Sequence, residues 1–264
     1  MTRILPFIIL ILLGCSSKKK TDNLAKDKFR LPTISQSETT DAVNFFKEEN
    51  VVEVWPKFIG QFKFADSIYY TGEREKRDAV SGKQYLWEQR VFEFDTLSSD
   101  GLQVLADYES SIIYADKSID TIAHYFYPVC VVNETAEPKV FIGKDSYVFA
   151  IQEALDTSDY SRWYAIEGRG FDFCGNGYFR RKILPNEFIM FLVPKYSGSE
   201  KTLLRVRLKL GDNLIISKPF KGVINRNQFS IDKGSWFYKE LKETKGTSAN
   251  WMFYGAATKN SDKF

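Results

Sequence analysis

The stretch Leu203-Leu204-Arg205-Val206-Arg207-Leu208-Lys209-Leu210 decides the fold class of this chain of 264 residues. From residue 204 onward, aliphatic side chains alternate with cationic ones. Successive side chains of a β-strand point to opposite faces, so the pattern predicts a strand with one buried and one solvated face. Arg205, Arg207 and Lys209 are then expected to face water. Gly211-Asp212-Asn213 predicts a turn into a second strand over residues 214–217.

Similar strand patterns recur through residues 128–229, about ten residues apart and separated by turn residues. Residues 188–193 are nearly all apolar, which is typical of a strand covered on both faces. Together these patterns predict two antiparallel sheets packed on each other. The arrangement resembles an immunoglobulin-like β-sandwich by pattern, without pointing to a specific family.

Residues 41–127 contain many β-branched and aromatic residues, which favour strands, so this region is predicted to be mostly β. A short helix is predicted over residues 40–49, with Ala42, Phe45 and Phe46 on one face. The predicted fold class is therefore mainly β. The immunoglobulin-like antiparallel sandwich lies at the C-terminal side, after a mostly β region with a short helix.

An apolar run over residues 4–13 follows Arg3 and ends at Gly14-Cys15. The run is too short for a permanent membrane span and has the layout of a secretory signal. Leu12, Gly14 and Cys15 resemble the lipobox of bacterial lipoproteins. The resemblance implies that residues 1–14 are removed as a signal peptide and that Cys15 carries palmitate and further acyl chains. Residues 15–40 are polar and lysine-rich, which predicts a flexible tether.

Lipidation would place the chain in the cell envelope. Ser16 resembles the residue after the cysteine in lipoproteins sorted to the outer membrane of Gram-negative bacteria. Several acyl chains give stable anchoring, since each buried methylene contributes about 0.8 kcal/mol. The predicted partners are thus the membrane, reached through the lipid anchor, and an envelope protein or a glycan. The leaflet stays open.

Composition excludes several other classes of function. The formal net charge is only +3, whereas nucleic-acid recognition needs a concentrated basic patch, so no nucleic-acid partner is predicted. The single histidine, His124, lies in an aromatic β-like run, where a structural role is expected. With one histidine and three cysteines, zinc sites built from several such residues are excluded by counting. No metal and no cofactor are predicted, and no glycine-rich phosphate loop precedes a helix.

Cys130 and Cys174 remain once Cys15 is assigned to lipid. An even pair in an oxidising compartment could form a disulfide, which would stabilise the fold by about 2–4 kcal/mol. The other interpretation is a pair of free thiols in the core.

Five acidic residues cluster around a predicted turn at residues 156–161, and two of them could flank a glycosidic bond. They are Glu153, Asp156, Asp159, Glu167 and Asp172. The simpler interpretation is a set of solvated turn acids.

The tail, residues 230–264, holds two aromatic clusters, at residues 236–238 and 251–254. A short helix is predicted there, because Phe237 and Leu241 lie one helical turn apart. Trp236, Trp251 and Tyr254 could form a platform for sugar rings or a partner protein, or could simply pack the tail onto the domain.

From sequence alone, the chain is expected to be a membrane-anchored envelope lipoprotein that acts as a binding or scaffolding module and as an accessory of a larger envelope complex. Two alternatives stay open. One is a carbohydrate-active hydrolase using paired carboxylates, and the other is a sugar-binding module using the C-terminal aromatic residues.

Overall fold

The computed structural model describes residues 28–36, 43–70, 96–115, 122–170 and 176–259. Within them the chain forms two large sheets that share one core, so the predicted mainly-β sandwich is confirmed. The larger sheet has nine strands in this part of the chain. They are β2 (Val43–Asn44), β4 (Lys57–Lys63), β6 (Gln103–Ala106), β7 (Ile112–Tyr114), β8 (Ala123–Asn133), β9 (Lys139–Lys144), β10 (Tyr147–Val148), β14 (Tyr178–Ile183) and β15 (Glu187–Pro194).

The order along this sheet is β14–β9–β10–β4–β15–β8–β2, and both β6 and β7 also pair with β8. The second sheet has five strands in the described part of the chain. They are β11 (Ala150–Asp156), β12 (Arg162–Ala165), β16 (Glu200–Leu210), β17 (Asn213–Ile216) and β18 (Phe220–Ile224). Their order is β12–β11–β16–β17, and β18 pairs with the first half of β16.

Two small parallel pairs and the helices complete the described fold. The pairs are β1 (Thr33–Gln36) with β5 (Ser67–Tyr70) and β3 (Val52–Val54) with β13 (Glu167–Arg169). The helices are a 3-10 turn (Arg226–Phe229), α1 (Trp236–Glu243) and α2 (Ala249–Met252). The Ser235 hydroxyl accepts a hydrogen bond from the Tyr238 amide and so caps α1. The predicted C-terminal helix is thereby confirmed.

The main core lies between the two large sheets. Leu204, Val206, Leu208 and Leu210 all enter it, as the alternation in β16 predicts. Strand β15 is buried on both faces, as its apolar sequence predicts. At about 25 cal/mol per Å² of apolar surface removed from water, this shared core is the main stabilising feature of the fold.

Each large sheet also buries part of its outer face. Cys130 and Met190 point away from the main core into a second cluster, which Phe29 and Ile68 cover from the β1–β5 side. On the outer face of the five-stranded sheet, Ile151 packs against side chains of the C-terminal segment. The C-terminal segment is therefore part of the folded domain.

The short helix predicted over residues 40–49 is wrong in its described part, because Val43–Asn44 is a strand paired with β8. Phe45 stacks on Tyr125 and Phe46 stacks on His124. Those two partners are neighbours in a strand and point to opposite faces. An extended backbone lets the two phenylalanines stack on different faces of β8, whereas a helix would put them on one side.

Strand β8 is continuous through residues 127 and 128, between the predicted N-terminal region (residues 41–127) and the predicted sandwich (residues 128–229). Strand β4, from the predicted N-terminal region, lies between β10 and β15 in the same sheet. Strands from both predicted regions are thus hydrogen-bonded together.

Candidate binding surface

Glu153 lies on the outer face of β11 and is buried beneath two arginines. Arg205 Nε and Arg207 Nη2 lie 2.8 and 3.1 Å from its carboxylate oxygens. Arg205 also lies over the ring of Trp163, with 4.3 Å between the guanidinium carbon and the ring centroid. Arg207 is only 7% exposed and donates a hydrogen bond to the backbone oxygen of Tyr254. The expectation that both arginines face water is therefore wrong for Arg207, which the C-terminal segment covers, whereas Arg205 is only partly exposed above Glu153.

Asp156 lies three positions further along β11 and so points to the opposite face of that strand. Arg226 Nη2 lies 3.3 Å from its carboxylate, and Lys259 Nζ forms a second ion pair. The Ser158 amide also donates to it, at 3.0 Å. Burial acts to raise the pKa of Asp156, but the hydrogen bonds from Lys259 and Ser158 outweigh burial and lower the pKa to about 2.

Glu167 is fully buried at the start of β13. Its carboxylate accepts hydrogen bonds from the Gln152 amide (2.6 Å), the Gln152 side-chain amide (2.7 Å) and the Tyr196 hydroxyl (2.6 Å). Burial raises the pKa of Glu167 to about 7, and these three hydrogen bonds oppose the rise. The nearby charge of Glu48 adds to the rise.

Among the described residues, the predicted acids have separate partners. Glu153 pairs with two arginines, Asp156 pairs with Arg226 and Lys259, and Glu167 accepts hydrogen bonds from Gln152 and Tyr196. Asp159 accepts a hydrogen bond from the Tyr164 hydroxyl, and Asp172 lies outside the described residues. Two carboxyl groups that act on one glycosidic bond need to face each other across a substrate.

Of the three cysteines, only Cys130 lies within the described residues. Cys130 is a free thiol, fully buried among apolar side chains, and burial raises its pKa far above the ordinary range, with the charge of Asp107 adding to the effect. Its predicted partner Cys174 and the predicted lipid acceptor Cys15 both lie outside the described residues.

The structure brings two of the predicted C-terminal aromatic residues together. The rings of Trp236 and Trp251 stack with centroids 5.9 Å apart, and Trp251 is 36% exposed. The guanidinium carbon of Arg169 lies 5.2 Å from the Trp251 ring centroid, within the range of a cation–π contact. Tyr254 behaves differently, since burial raises the pKa of its hydroxyl while the charge of Arg169 lowers it. The ring of Tyr254 is half-buried and packs against the apolar cluster under the C-terminal segment.

Trp55 contacts the same short segment, residues 169–170, and was missed from the sequence. It follows β3 directly, is 43% exposed, and its indole ring lies on the α-carbon of Gly170. A side chain at Gly170 would collide with that ring. The Gly170 amide donates to the Val54 backbone oxygen at 3.1 Å, which fixes the two segments side by side. The available signal was the pair of glycines on either side of Arg169, because spaced glycines mark a close approach of other groups to a strand.

We call the set Trp55, Arg169, Trp236 and Trp251 the tryptophan surface. Its base is rigid, since a Cβ atom on Gly168 would lie only 2.5 Å from Phe237 and 2.9 Å from Phe253. Tryptophan and arginine are the residue types that most often dominate binding energy at interfaces. Indole faces can stack on sugar rings or on a partner's side chains, and the guanidinium can bind an anionic group.

The chain matches no protein-family model, no curated protein and no solved structure. Among the residues described, no three histidine, cysteine, aspartate or glutamate side chains are grouped so that they could hold a metal ion. No helix in the same residues has the length and apolar character needed to span a bilayer.

Proposed function

We propose that this chain is a lipid-anchored binding module of the bacterial cell envelope, attached through Cys15 and presenting the tryptophan surface to a partner. The apolar run followed by Gly14-Cys15, and the polar stretch after it, support the anchor. The described domain then acts as a rigid carrier for its binding residues.

The observation that carries the binding role is the exposure of Trp55 and Trp251 against the same short segment, Arg169-Gly170. Exposed indoles on a rigid base lose little conformational entropy when they bind, because their side chains are already held in place. Phe237 and Phe253 hold that base from below.

The test is capture of the partner from envelope membranes with the tagged full-length protein, using chemical crosslinking and mass spectrometry. We expect one protein to be recovered in stoichiometric amount, and Trp251→Ala or Trp55→Ala to weaken its binding about thirtyfold or more. Tyr69→Ala is the matched control, since Tyr69 is also an exposed aromatic residue but lies on the β1–β5 side. Equal loss with all three variants, or no loss with the tryptophan variants, would contradict the proposal.

A sugar-binding module is the second candidate, favoured by the half-exposed Trp251 ring with Arg169 beside it. Glycan-array binding that disappears with Trp251→Ala would support it over a protein partner. A two-carboxylate hydrolase draws no support from the acids, because the three buried ones are each held by separate partners.

A further inference from the structure

The outer face of the five-stranded sheet is open where the C-terminal segment does not cover it. In an antiparallel pair, directly opposite residues lie on the same face. Lys209 is opposite Leu214, and Leu203 is opposite Lys221. Since the even-numbered residues of β16 fill the core, these pairs point outward.

This face combines aliphatic and cationic side chains. Leu203, Leu214 and Ile216 are 37%, 42% and 40% exposed, which is high for aliphatic residues on adjacent strands. We define the lysine–aliphatic face as these three residues together with Lys201, Lys209 and Lys221.

The charge of the face is uniformly positive. Among the described residues, none of its three lysines forms an ion pair with a carboxylate, and Lys209 donates only to the backbone oxygen of Asp212. Glu153, which points to the same side of the sheet from β11, is neutralised by two arginines. A sheet face with unpaired cations around aliphatic side chains complements a surface that is anionic and apolar at once.

We propose that the lysine–aliphatic face docks on a membrane surface rich in anionic phospholipid. The lysine ammonium groups would bind lipid phosphates, while Leu203, Leu214 and Ile216 would enter the boundary between headgroups and acyl chains. A lipid surface fits better than a protein groove, because the six residues that define the face are lysines and aliphatic residues, without the aromatic anchors that dominate protein interfaces.

The inference rests on the proposed function only for bringing the domain to the membrane. The chain between Cys15 and Thr33 can extend at most to about 60 Å, so an anchored domain stays within reach of the lipid surface. Restricting the domain to that distance raises its effective concentration at the surface, so weak docking suffices.

The test uses the full chain with Cys15→Ser, so that lipidation plays no part in the result. Binding is measured by co-sedimentation with vesicles of phosphatidylglycerol and phosphatidylcholine, and with vesicles of phosphatidylcholine alone. We expect salt-sensitive binding that is stronger to the anionic vesicles. Replacing Lys201, Lys209 and Lys221 with serine should reduce that preference on the order of a hundredfold, at about fivefold for each lysine. Ile216→Ser should weaken binding further.

The matched control replaces two exposed cations that flank the buried Phe29 on the opposite outer side, Lys28 and Arg30, with serine, and is compared with the double variant Lys209→Ser/Lys221→Ser. It changes the net charge equally and should leave the preference within about twofold, because those groups would face away from the lipid surface. Equal binding to both vesicle types, or an equal loss in the control, would overturn the proposal. Incorporation of labelled palmitate by the chain with its natural Cys15 tests the lipid anchor separately. The anchor proposal and the membrane-docking proposal can therefore fail independently.

Discussion

At the scale of single residues, the buried acids decide how the fold responds to pH. Glu167 and Asp156 have opposite pKa shifts, because Glu167 is buried among uncharged donors while Asp156 is paired with cations. Hydrogen bonds from an amide and a hydroxyl only partly replace the water that a carboxylate loses. Full ion pairs favour the charged form instead.

For Glu167, we expect an uncommon decrease of stability with rising pH. The pKa is raised from 4.5 to about 7 on folding, so the folded state binds the proton more tightly than the unfolded state. The stabilisation is fully present below about pH 4.5 and is lost as pH rises through 7, by about 3 kcal/mol. Urea unfolding of wild type and Glu167→Gln at several pH values measures the difference. A variant with the same pH slope as wild type would contradict the assignment.

For Asp156, the expected pH dependence is reversed. Its pKa is lowered from 3.8 to about 2, so its stabilisation is present above pH 4 and is lost as pH falls toward 2. Because Arg226 and Lys259 are partly exposed, we expect Asp156→Asn to cost only about 1–2 kcal/mol at neutral pH. The loss of unfolding free energy caused by Asp156→Asn should become small as the pH approaches 2 in the same unfolding assay. A loss that is the same at every pH would contradict this explanation.

At the scale of elements, strand β13 links the interior to the tryptophan surface. Glu167 points into the core, Gly168 contacts Phe237 and Phe253, and Arg169 lies beside Trp251. Three successive residues of this strand thus contact the main core, the C-terminal helices and the candidate surface. A change in the packing of this one strand should affect all three.

Gly170→Ala should therefore impair binding without unfolding the domain. The backbone at Gly170 has no positive φ, so alanine is tolerated there and only the ring of Trp55 has to move. We expect a red shift of tryptophan emission, and a loss of partner capture comparable to that of Trp55→Ala. In a double-mutant cycle, adding Gly170→Ala to Trp55→Ala should produce little further loss. Fully additive losses would mean that Gly170 acts through some other contact.

At the scale of the whole molecule, a sandwich carries different surfaces on its two outer sides. The tryptophan surface and the lysine–aliphatic face belong to the side of the five-stranded sheet, while the β1–β5 layer covers part of the other side. Both surfaces for which we propose a binding role therefore lie on the side of the five-stranded sheet.

Cys15→Ser tests the location of the whole molecule. Expressed in a Gram-negative host, the natural chain should pellet with membranes in high salt and incorporate labelled palmitate, whereas the variant should incorporate none. The leader and tether sequences are identical in both proteins, so only the acyl acceptor differs. Palmitate in the variant at the natural level would refute the anchor.

The sequence by itself determined the secondary-structure class and which face of its strongest strand enters the main core, because aliphatic and cationic residues alternate over residues 204–210. It also predicted α1 from the spacing of Phe237 and Leu241. It placed Trp236 and Trp251 in one short segment, where their stacking could be proposed from proximity in the chain.

Only the tertiary structure decided which polar residues are solvated and which distant residues meet. From the sequence, Arg205 and Arg207 were expected to face water. In the structure, the C-terminal segment covers Arg207, and both arginines neutralise Glu153. Trp55 meets Gly170 across more than a hundred residues of chain. Periodicity reports which face of a strand is apolar, but it carries no information on what covers the other face, because that depends on long-range packing.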